Sequence, residues 1–289
     1  MLQAGTMERL KVERTAPFGY FLSDGKTDVL LHRNEADREY LIGEEIEVFL
    51  YHDHQDRLSA TCKKPKLLSG EAGWLEVTDV VHRLGVFLHN GVQKEVLLPR
   101  SELPAHKERW PQKGAILFVK LSHDRQGRIL AELGSDKDLL PFVKAADMKL
   151  HHKELIGRVY NITKHGAFIY TEEGYLGLIH HDEMTHPLAL GMHVSARVTH
   201  VREDGRLNLS MRPSKEISYS IDAETILTYL KQRGGRMPYS DKTDSEVIRL
   251  KFQMSKSAFK RALGKLMKEG RIEQKEGWTS LIHREEERR

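Results

Sequence analysis

One cysteine, Cys62, stands in 289 residues, so no disulfide framework forms within the chain and no multi-cysteine zinc or iron–sulfur site is available. Such scarcity fits a reducing compartment. No run approaches the roughly 20 apolar residues that a membrane-spanning helix needs. The opening residues, Met1-Leu2-Gln3-Ala4-Gly5, lack the basic stretch followed by an apolar stretch of a secretory leader. Walker A, GxGxxG, CxxC and HExxH patterns are missing. The one carboxylate run, Glu285-Glu286-Glu287, reads as a solvated tail rather than a nuclease metal site. These absences point to a cytoplasmic chain with no membrane segment, no cofactor and no catalytic cleft. What is there, 39% hydrophobic and 30% charged residues, describes a folded protein. The length predicts two or three domains, or more if the modules are small barrels.

The net charge of +4 is unevenly placed. From Ser214 to Arg289 there are 17 basic and 12 acidic residues, whereas the rest carries 29 basic and 30 acidic. The basic excess thus sits in the C-terminal quarter, where it suits either an acidic partner such as nucleic acid or a plain Lys-rich helical surface.

The chain repeats itself three times. Each copy has a Gly with an aromatic two residues on, an apolar strand, a Gly-led strand, and a turn ending in Arg. The copies read Gly19-Tyr20-Phe21 to Asp56-Arg57, Gly85-Val86-Phe87 to Gly127-Arg128, and Gly166-Ala167-Phe168 to Gly205-Arg206. Phe21 to Arg57 spans 36 positions, Phe87 to Arg128 spans 41, and Phe168 to Arg206 spans 38. Segments such as Glu45 to Leu50 and His193 to Val198 alternate with period 2, and turn signals separate them. Five short strands in so little chain predict a five-stranded Greek-key barrel of the OB type, with a small open sandwich as the alternative. The linkers fall at Lys63-Lys64-Pro65-Lys66, at a charged connector from Ser135 with a helix over 139–150, and at Arg212-Pro213-Ser214.

Period 2 sets Phe168 and Tyr170 on one face and Ile169 on the other. With Ile169 inside the barrel, Phe168 lies outside, and so do Phe21 and Phe87. A lone strand Phe is core more often than platform, but recurrence with Gly before it and Arg far behind favours a platform. An exposed ring is a stacking surface for a nucleic-acid base, worth roughly 1–3 kcal/mol. His32 and His180 close their strands, and Arg57, Arg128 and Arg206 suit phosphate.

At these residues the chain resembles the ribosomal protein S-one RNA-binding domain, most specifically through Gly157-Arg158-Val159-Tyr160, Gly166-Ala167-Phe168, Gly177-Leu178-Ile179-His180 and Gly205-Arg206-Leu207-Asn208-Leu209-Ser210. The resemblance implies RNA contacts at two aromatics, a His, an Asp and an Arg. These are Phe18, Phe21, His32, Asp53 and Arg57 in the first copy, then Phe87, Asp124 and Arg128 in the second. Phe168, His180 and Arg206 follow in the third. Leu84 and Pro99 depart from the pattern in the second copy, for which a spacer is the alternative role; in the third, His165 replaces an aromatic and Arg202 replaces the Asp.

From Ile221 the periodicity turns helical. Ile226, Leu227 and Leu230 give an apolar face ended by Gly234-Gly235. A short helix over 245–252 follows, with Val247, Ile248 and Phe252 inward. A third helix starts at the N-cap Ser255 and ends near Gly270, with Phe259, Leu263, Leu266 and Met267 apolar and Lys256, Lys260, Arg261, Lys265 and Lys268 opposite. A hairpin through Trp278 completes a winged helix, whose basic face suits duplex nucleic acid, while such modules also dock proteins.

Three such barrels ahead of a winged helix resemble the conserved virulence factor B family of bacterial RNA-binding regulators, most closely at Met254 to Gly264. The division is 1–64, 68–134 and 150–213 for the barrels and 217–284 for the winged helix. The resemblance implies a cytoplasmic, non-enzymatic protein that binds single-stranded RNA and acts after transcription. The alternatives are a transcription regulator on duplex DNA and an accessory subunit of a nuclease. Two weaker signals are set aside. His180, His181, Asp182 and His186 contain metal-ligand types but in a loop without set geometry. Ser257-Ala258-Phe259-Lys260 matches Ser-x-x-Lys without any supporting motif.

Overall fold

The computed structural model describes residues 2–282, for 215–218 the backbone alone; the run Glu285-Glu286-Glu287 lies outside the described residues. The chain divides into two compact units, Met1–Arg212 and Pro213–Arg289. No helix among the described residues is long and apolar enough to cross a membrane.

The first unit is three closed five-stranded barrels. Barrel one comprises β1 (Met7–Ala16), β2 (Gly19–Ser23), β3 (Asp28–His32), β4 (Glu45–His52) and β5 (Leu58–Thr61). Barrel two comprises β6 (Ala72–Val81), β7 (Gly85–His89), β8 (Val96–Pro99), β9 (Ile116–His123) and β10 (Ile129–Leu133). After a short helix α1 (Asp136–Leu139), barrel three comprises β11 (Glu154–Thr163), β12 (Gly166–Thr171), β13 (Leu176–His180), β14 (His193–Val201) and β15 (Leu207–Ser210). Each closes in the order first, second, third, fifth, fourth, with the third and fifth strands parallel and the other pairs antiparallel. This is the predicted OB-type barrel, and closure leaves no open sheet edge.

Two sequence features make closure possible. The long first strand pairs with both the second and the fourth, and it bends at a bulge between Val12 and Arg14, Val77 and Asp79, and Val159 and Asn161. A bulge adds local twist where one strand must serve two neighbours. The repeated Gly opening the second strand allows a close approach. A Cβ on Gly85 would lie 2.1 Å from the Leu98 carbonyl oxygen, and one on Gly166 would lie 2.1 Å from that of Ile179. Their φ values of 146° and 151° are also ones that side chains rarely tolerate.

Alternation fills the interiors. Leu10, Val12, Leu22, Leu31, Val48 and Leu50 form the core of barrel one. Barrels two and three share a continuous cluster through Leu103, Trp110, Leu188 and Leu190, and the Leu190 N–H donates to the Arg109 carbonyl at 3.0 Å. Cys62 is half-buried, 3.2 Å from the Tyr40 hydroxyl, and burial pushes its thiol up.

The helix expected over 139–150 is absent. Only α1 is helical there, followed by 3-10 turns at Leu140–Phe142 and Met148–Leu150. The intervening backbone bonds to barrel three instead of to itself: Lys144 N–H donates to Gly174 O at 2.8 Å, and Ala146 N–H to Gly205 O at 2.9 Å.

The second unit holds α2 (Lys215–Gln232), β16 (Arg236–Met237), α3 (Ser245–Phe252), α4 (Lys256–Lys268), β17 (Ile272–Lys275) and β18 (Trp278–Leu281). This is the expected winged helix with two corrections of detail. Helix α2 starts directly after Pro213-Ser214, not at Ile221, its polar first turns having masked the apolar periodicity. The wing gains a third strand, β16, paired with β18. Ser255 caps α4 by accepting the Ala258 N–H at 3.2 Å. Phe259, Ala262, Leu263 and Leu266 are buried, whereas Met267, expected inward, is 41% exposed. The buried spacing of i, i+3, i+4 and i+7 centres the stripe on Ala262 and turns Met267 outward.

Gly166→Ala should destabilise the first unit by at least about 1–3 kcal/mol, from the positive φ and the carbonyl contact. Gly264→Ala should stabilise the winged helix by about 0.4–1 kcal/mol, because its α4 position is open, with nothing within 4 Å of a Cβ. Urea unfolding of each variant, followed by circular dichroism, checks both signs.

Candidate nucleic-acid interface

Strand register builds the same outer face on each barrel. Phe21 lies opposite Leu30, and Leu30 opposite Ser59. Phe87, Leu97 and Leu130 form the equivalent rung in barrel two, and Phe168, Leu178 and Asn208 in barrel three. Residues two apart on a strand share a face. His32, Pro99 and His180 therefore extend the face at one end, and Arg57, Arg128 and Arg206 at the other. The arginines are the last residues of their turns, just ahead of the fifth strand, rather than strand residues.

Barrel one carries the most open version. Phe18 is 48% exposed and meets half-buried Phe21 edge to face at 6.1 Å. The Arg14 guanidinium, lifted by the β1 bulge, sits 3.7 Å over the Phe21 ring, a cation–π contact. His32 is exposed, and its Nδ1 accepts the Asn34 N–H at 3.3 Å. That bond assigns Nδ1 as the acceptor and leaves the Nε2 proton for a ligand. The Asp53 carboxylate accepts from Arg57 Nε at 3.0 Å and Nη2 at 2.7 Å, and from the backbone N–H of Gln55 at 2.8 Å. Burial would raise the Asp53 carboxyl, but these hydrogen bonds outweigh it and hold it below its usual value. Asp53 is thus engaged in fixing the arginine.

Barrel two keeps the arginine device and loses the rest. Asp124 Oδ2 accepts from Arg128 Nε at 2.8 Å, and Arg128 Nη1 lies 3.6 Å from Asp56 of barrel one. Leu84 occupies the place of Phe18, and Pro99 makes no side-chain cap. Half-buried Phe87 lines a partly open pocket shared with barrel one.

Barrel three is partly covered by its own connector. The turn geometry persists, with Arg202 N–H donating to Arg206 O at 2.8 Å as Asp53 does to Arg57 at 2.9 Å. The missing carboxylate comes from α1: Arg206 Nη1 donates to Asp136 Oδ2 at 2.7 Å, and the Tyr160 hydroxyl donates to Asp136 Oδ1 at 2.6 Å. Burial first, and this bond second, push the Tyr160 hydroxyl well above its ordinary value, so it stays a donor. Phe168 is half-buried beside Tyr160, 6.2 Å away, and Leu139 is fully buried in the same cluster. Tyr170 is committed elsewhere: its hydroxyl donates to the Phe142 carbonyl at 3.0 Å, and its ring lies 5.7 Å from Trp74 of barrel two. His180 caps the following turn as His32 does. His180, His181 and Asp182 bring their donor atoms within 4.8 Å of one another on a 3-10 turn, without His186.

On the winged helix, Lys256, Lys260, Arg261 and Lys268 are exposed. Lys265 is half-buried, its ammonium donating to Ser220 at 2.6 Å, and the Arg261 guanidinium lies 5.0 Å from the Tyr219 ring. Two side chains of the basic face therefore lean on α2. Sequence reasoning missed the wing contribution: Trp278 is 39% exposed, with the Arg236 guanidinium 4.5 Å over its ring. It also missed Arg14 and Asp136, which lie outside the repeated pattern, and the role of Tyr160, which belongs to the run that carries the S-one resemblance but has no contact assigned by it.

Family models cover most of the chain. They are an S1 domain at residues 4–63, the CvfB first S1-like domain at 72–132, the second domain of the virulence regulatory factor CvfB at 141–213, and a CvfB-like winged helix domain at 224–281. A Bacillus subtilis (strain 168) protein, "Uncharacterized protein YitL", is 42% identical over 96% of this chain and 93% of its own. Conserved virulence factor B of Staphylococcus aureus (strain USA300) is 30% identical over 97% of each chain. A crystal structure from Streptococcus pneumoniae TIGR4, described as a multidomain protein with nucleic acid binding domains, shares 32% identity. The alignment covers 96% of this chain and 98% of that one, with a TM-score of 0.62.

Carboxyls held low in the folded state add stability above their ordinary value of about 3.9, and that stability fades as pH falls through the lowered value. Asp53→Asn with Asp124→Asn should lower stability near neutral pH and flatten its fall in acid. Urea midpoints between pH 7 and pH 2.5 measure this; an unchanged acid limb contradicts the assignment.

Proposed function

The chain belongs to the conserved virulence factor B family, and on that premise we propose that it is a non-enzymatic regulator that binds single-stranded RNA and adjusts gene expression after transcription. The family and its architecture of S1-like barrels with a winged helix support nucleic-acid binding in a regulatory role. The choice of single strands rests on one observation, the outer wall of barrel one. There Phe18 and Phe21 present rings at one end, His32 offers a donor, and Arg57 stands fixed by Asp53.

Rings of this kind take the flat faces of bases, and in a duplex those faces are stacked away. Arg57 adds charge beside the rings for the phosphates, and Arg14, lying over Phe21, offers its own guanidinium plane to a base on that side. Phe168, His180 and Arg206 join as a second, weaker platform, since α1 holds Arg206 and Tyr160 covers one side of Phe168. Asp124 and Asp53 act by orienting their arginines. Tyr170 has no place in the stacking surface. The winged helix contributes phosphate contacts through Lys256, Lys260, Lys268 and, less freely, Arg261 and Lys265. Such contacts position a nucleic acid without reading its sequence.

Fluorescence anisotropy with a labelled oligoribonucleotide tests this. Phe21→Ala with His32→Ala should weaken binding about 5–150-fold, the equivalent of one stacked base, and Phe168→Ala with His180→Ala should cost less. Affinity should fall steeply with salt, and excess duplex DNA should compete poorly. Equal affinity for duplex DNA, or no loss in the barrel-one variant, rejects the reading.

A further inference from the structure

Barrel three departs from the other two at the turn that follows its third strand. In each barrel that strand runs into a 3-10 turn with a Glu in third place: Arg33-Asn34-Glu35, Arg100-Ser101-Glu102 and His181-Asp182-Glu183. The Glu serves the fold. Glu35 is buried and accepts from the Thr61 hydroxyl at 2.6 Å and the Lys63 ammonium at 3.0 Å, and Glu183 accepts from the Ser210 hydroxyl. The two places before it face solvent and differ from barrel to barrel, so the fold does not call for an imidazole and a carboxylate there.

In barrel three the strand end and these two places read His180, His181 and Asp182, three metal-ligand types in a row, where barrel one has His32-Arg33-Asn34 and barrel two Pro99-Arg100-Ser101. The two imidazole rings lie with centroids 4.0 Å apart. The Asp182 carboxylate reaches both: Oδ2 is 3.3 Å from His180 Nδ1, and Oδ1 is 3.2 Å from His181 Nε2. Ligands of a four-coordinate zinc, bonded at about 2.0–2.1 Å, stand roughly 3.3–3.4 Å from one another, so these spacings already suit one ion. His180 Nδ1 is held by a single long bond, from the Asp182 N–H at 3.4 Å, which an ion can displace. The backbone beneath is anchored. Arg212 Nε donates to the Asp182 carbonyl at 2.6 Å, the His181 N–H to the His165 carbonyl at 3.3 Å, and the Met211 N–H to the Glu183 carbonyl at 3.0 Å. The sequence shows the ligand types without a geometry; the anchored turn supplies one, and a rigid support is what such a site needs.

We propose that His180, His181 and Asp182 bind one divalent ion of the zinc class through two imidazole nitrogens and a carboxylate oxygen, with water in the remaining position. Two imidazoles and one carboxylate suit zinc and its neighbours, whereas magnesium and calcium prefer all-oxygen sites. A phosphate oxygen can take the place of the water. The ion stands at the end of the outer face opposite Arg206, whose guanidinium is tied to Asp136. It gives barrel three a positive charge less encumbered than that of its arginine. This role toward a strand rests on the RNA reading above; the ion site itself does not.

The test uses the full chain, freed of metal by a chelator and titrated with zinc by calorimetry; cobalt, titrated separately, reports the coordination number through its visible absorption. His181→Ala and Asp182→Ala each remove one ligand from an exposed position, and His186→Ala is the control, because His186 lies outside the cluster. Thermal unfolding confirms that each variant is folded. Expected is one tight equivalent, weakened in His181→Ala and Asp182→Ala by at least the roughly 10–100-fold that loss of an outer-shell partner costs, and unchanged in His186→Ala. Weak binding with no single-equivalent step, as scattered histidines would give, overturns the site; so does an affinity that neither ligand variant alters, or one that His186→Ala lowers equally. Anisotropy with the labelled oligoribonucleotide then separates the two claims. Zinc should tighten binding severalfold, and His181→Ala should abolish that gain while leaving the zinc-free affinity unchanged. One bound zinc with no effect on oligomer affinity keeps the site and overturns its role toward a strand. One bound zinc with no oligomer binding in any condition keeps the site and overturns the RNA reading.

Discussion

The short parallel ladder between the third and fifth strands is the pairing on which the first unit depends. In barrel one it amounts to Leu30 opposite Ser59 and Leu31 opposite Ala60. It closes the barrel, so that Leu31 and Ala60 seal the core. The same ladder sets the register by which the turn arginine arrives on the face that holds Phe21. Side chains alternate with period 2, so a slip of one residue would turn Arg57 away from the aromatic wall and expose the core residues at once. Fold and candidate site are therefore one constraint, which the glycine approach of the second strand and the bulge of the first both serve.

On this shared scaffold the three faces differ in what surrounds them. Each turn arginine is matched by a carboxylate, but from two origins. Asp53 and Asp124 come from within their own turns, four residues before the arginine. Asp136 comes from α1, 70 residues before Arg206. A local pair orients a side chain that stays on its own barrel. The distant pair also fastens the connector, together with Tyr160 and the Tyr170 bond to Phe142. A phosphate reaching Arg206 must compete with a carboxylate that is itself hydrogen-bonded by a buried tyrosine, which is why the first barrel offers the freer guanidinium.

The repeat was legible because its cause is local and recurs. Gly before the aromatic follows from a close carbonyl, and the turn ending in Arg follows from a hydrogen-bonded loop, so both leave the same mark three times. The three barrels could be read on that basis, and the winged helix from the apolar periodicity of its helices. What surrounds each face left no such mark. Arg14 over Phe21 depends on a bulge, Tyr170 against Trp74 depends on how two barrels pack, and Asp136 looks like any residue of a charged linker. The connector misled for a related reason. Residues 139–150 suit a helix by composition, yet the N–H groups of Lys144 and Ala146 find barrel carbonyls instead. Met267 was misplaced by a single helical position, because Ala262 is too small to stand out as the centre of an apolar stripe.

The winged helix bears on selectivity. Its face is rich in lysine, and two of its five proposed contacts lean on Tyr219 and Ser220. Lysines provide point charges that neutralise phosphate, and affinity gained in that way is sensitive to salt and indifferent to sequence. Aromatic walls are also tolerant, since every base has a flat face. With the proposed function, charge and stacking together supply the hold on a strand, and since neither distinguishes one base from another, the same surfaces grip single strands with little preference among bases.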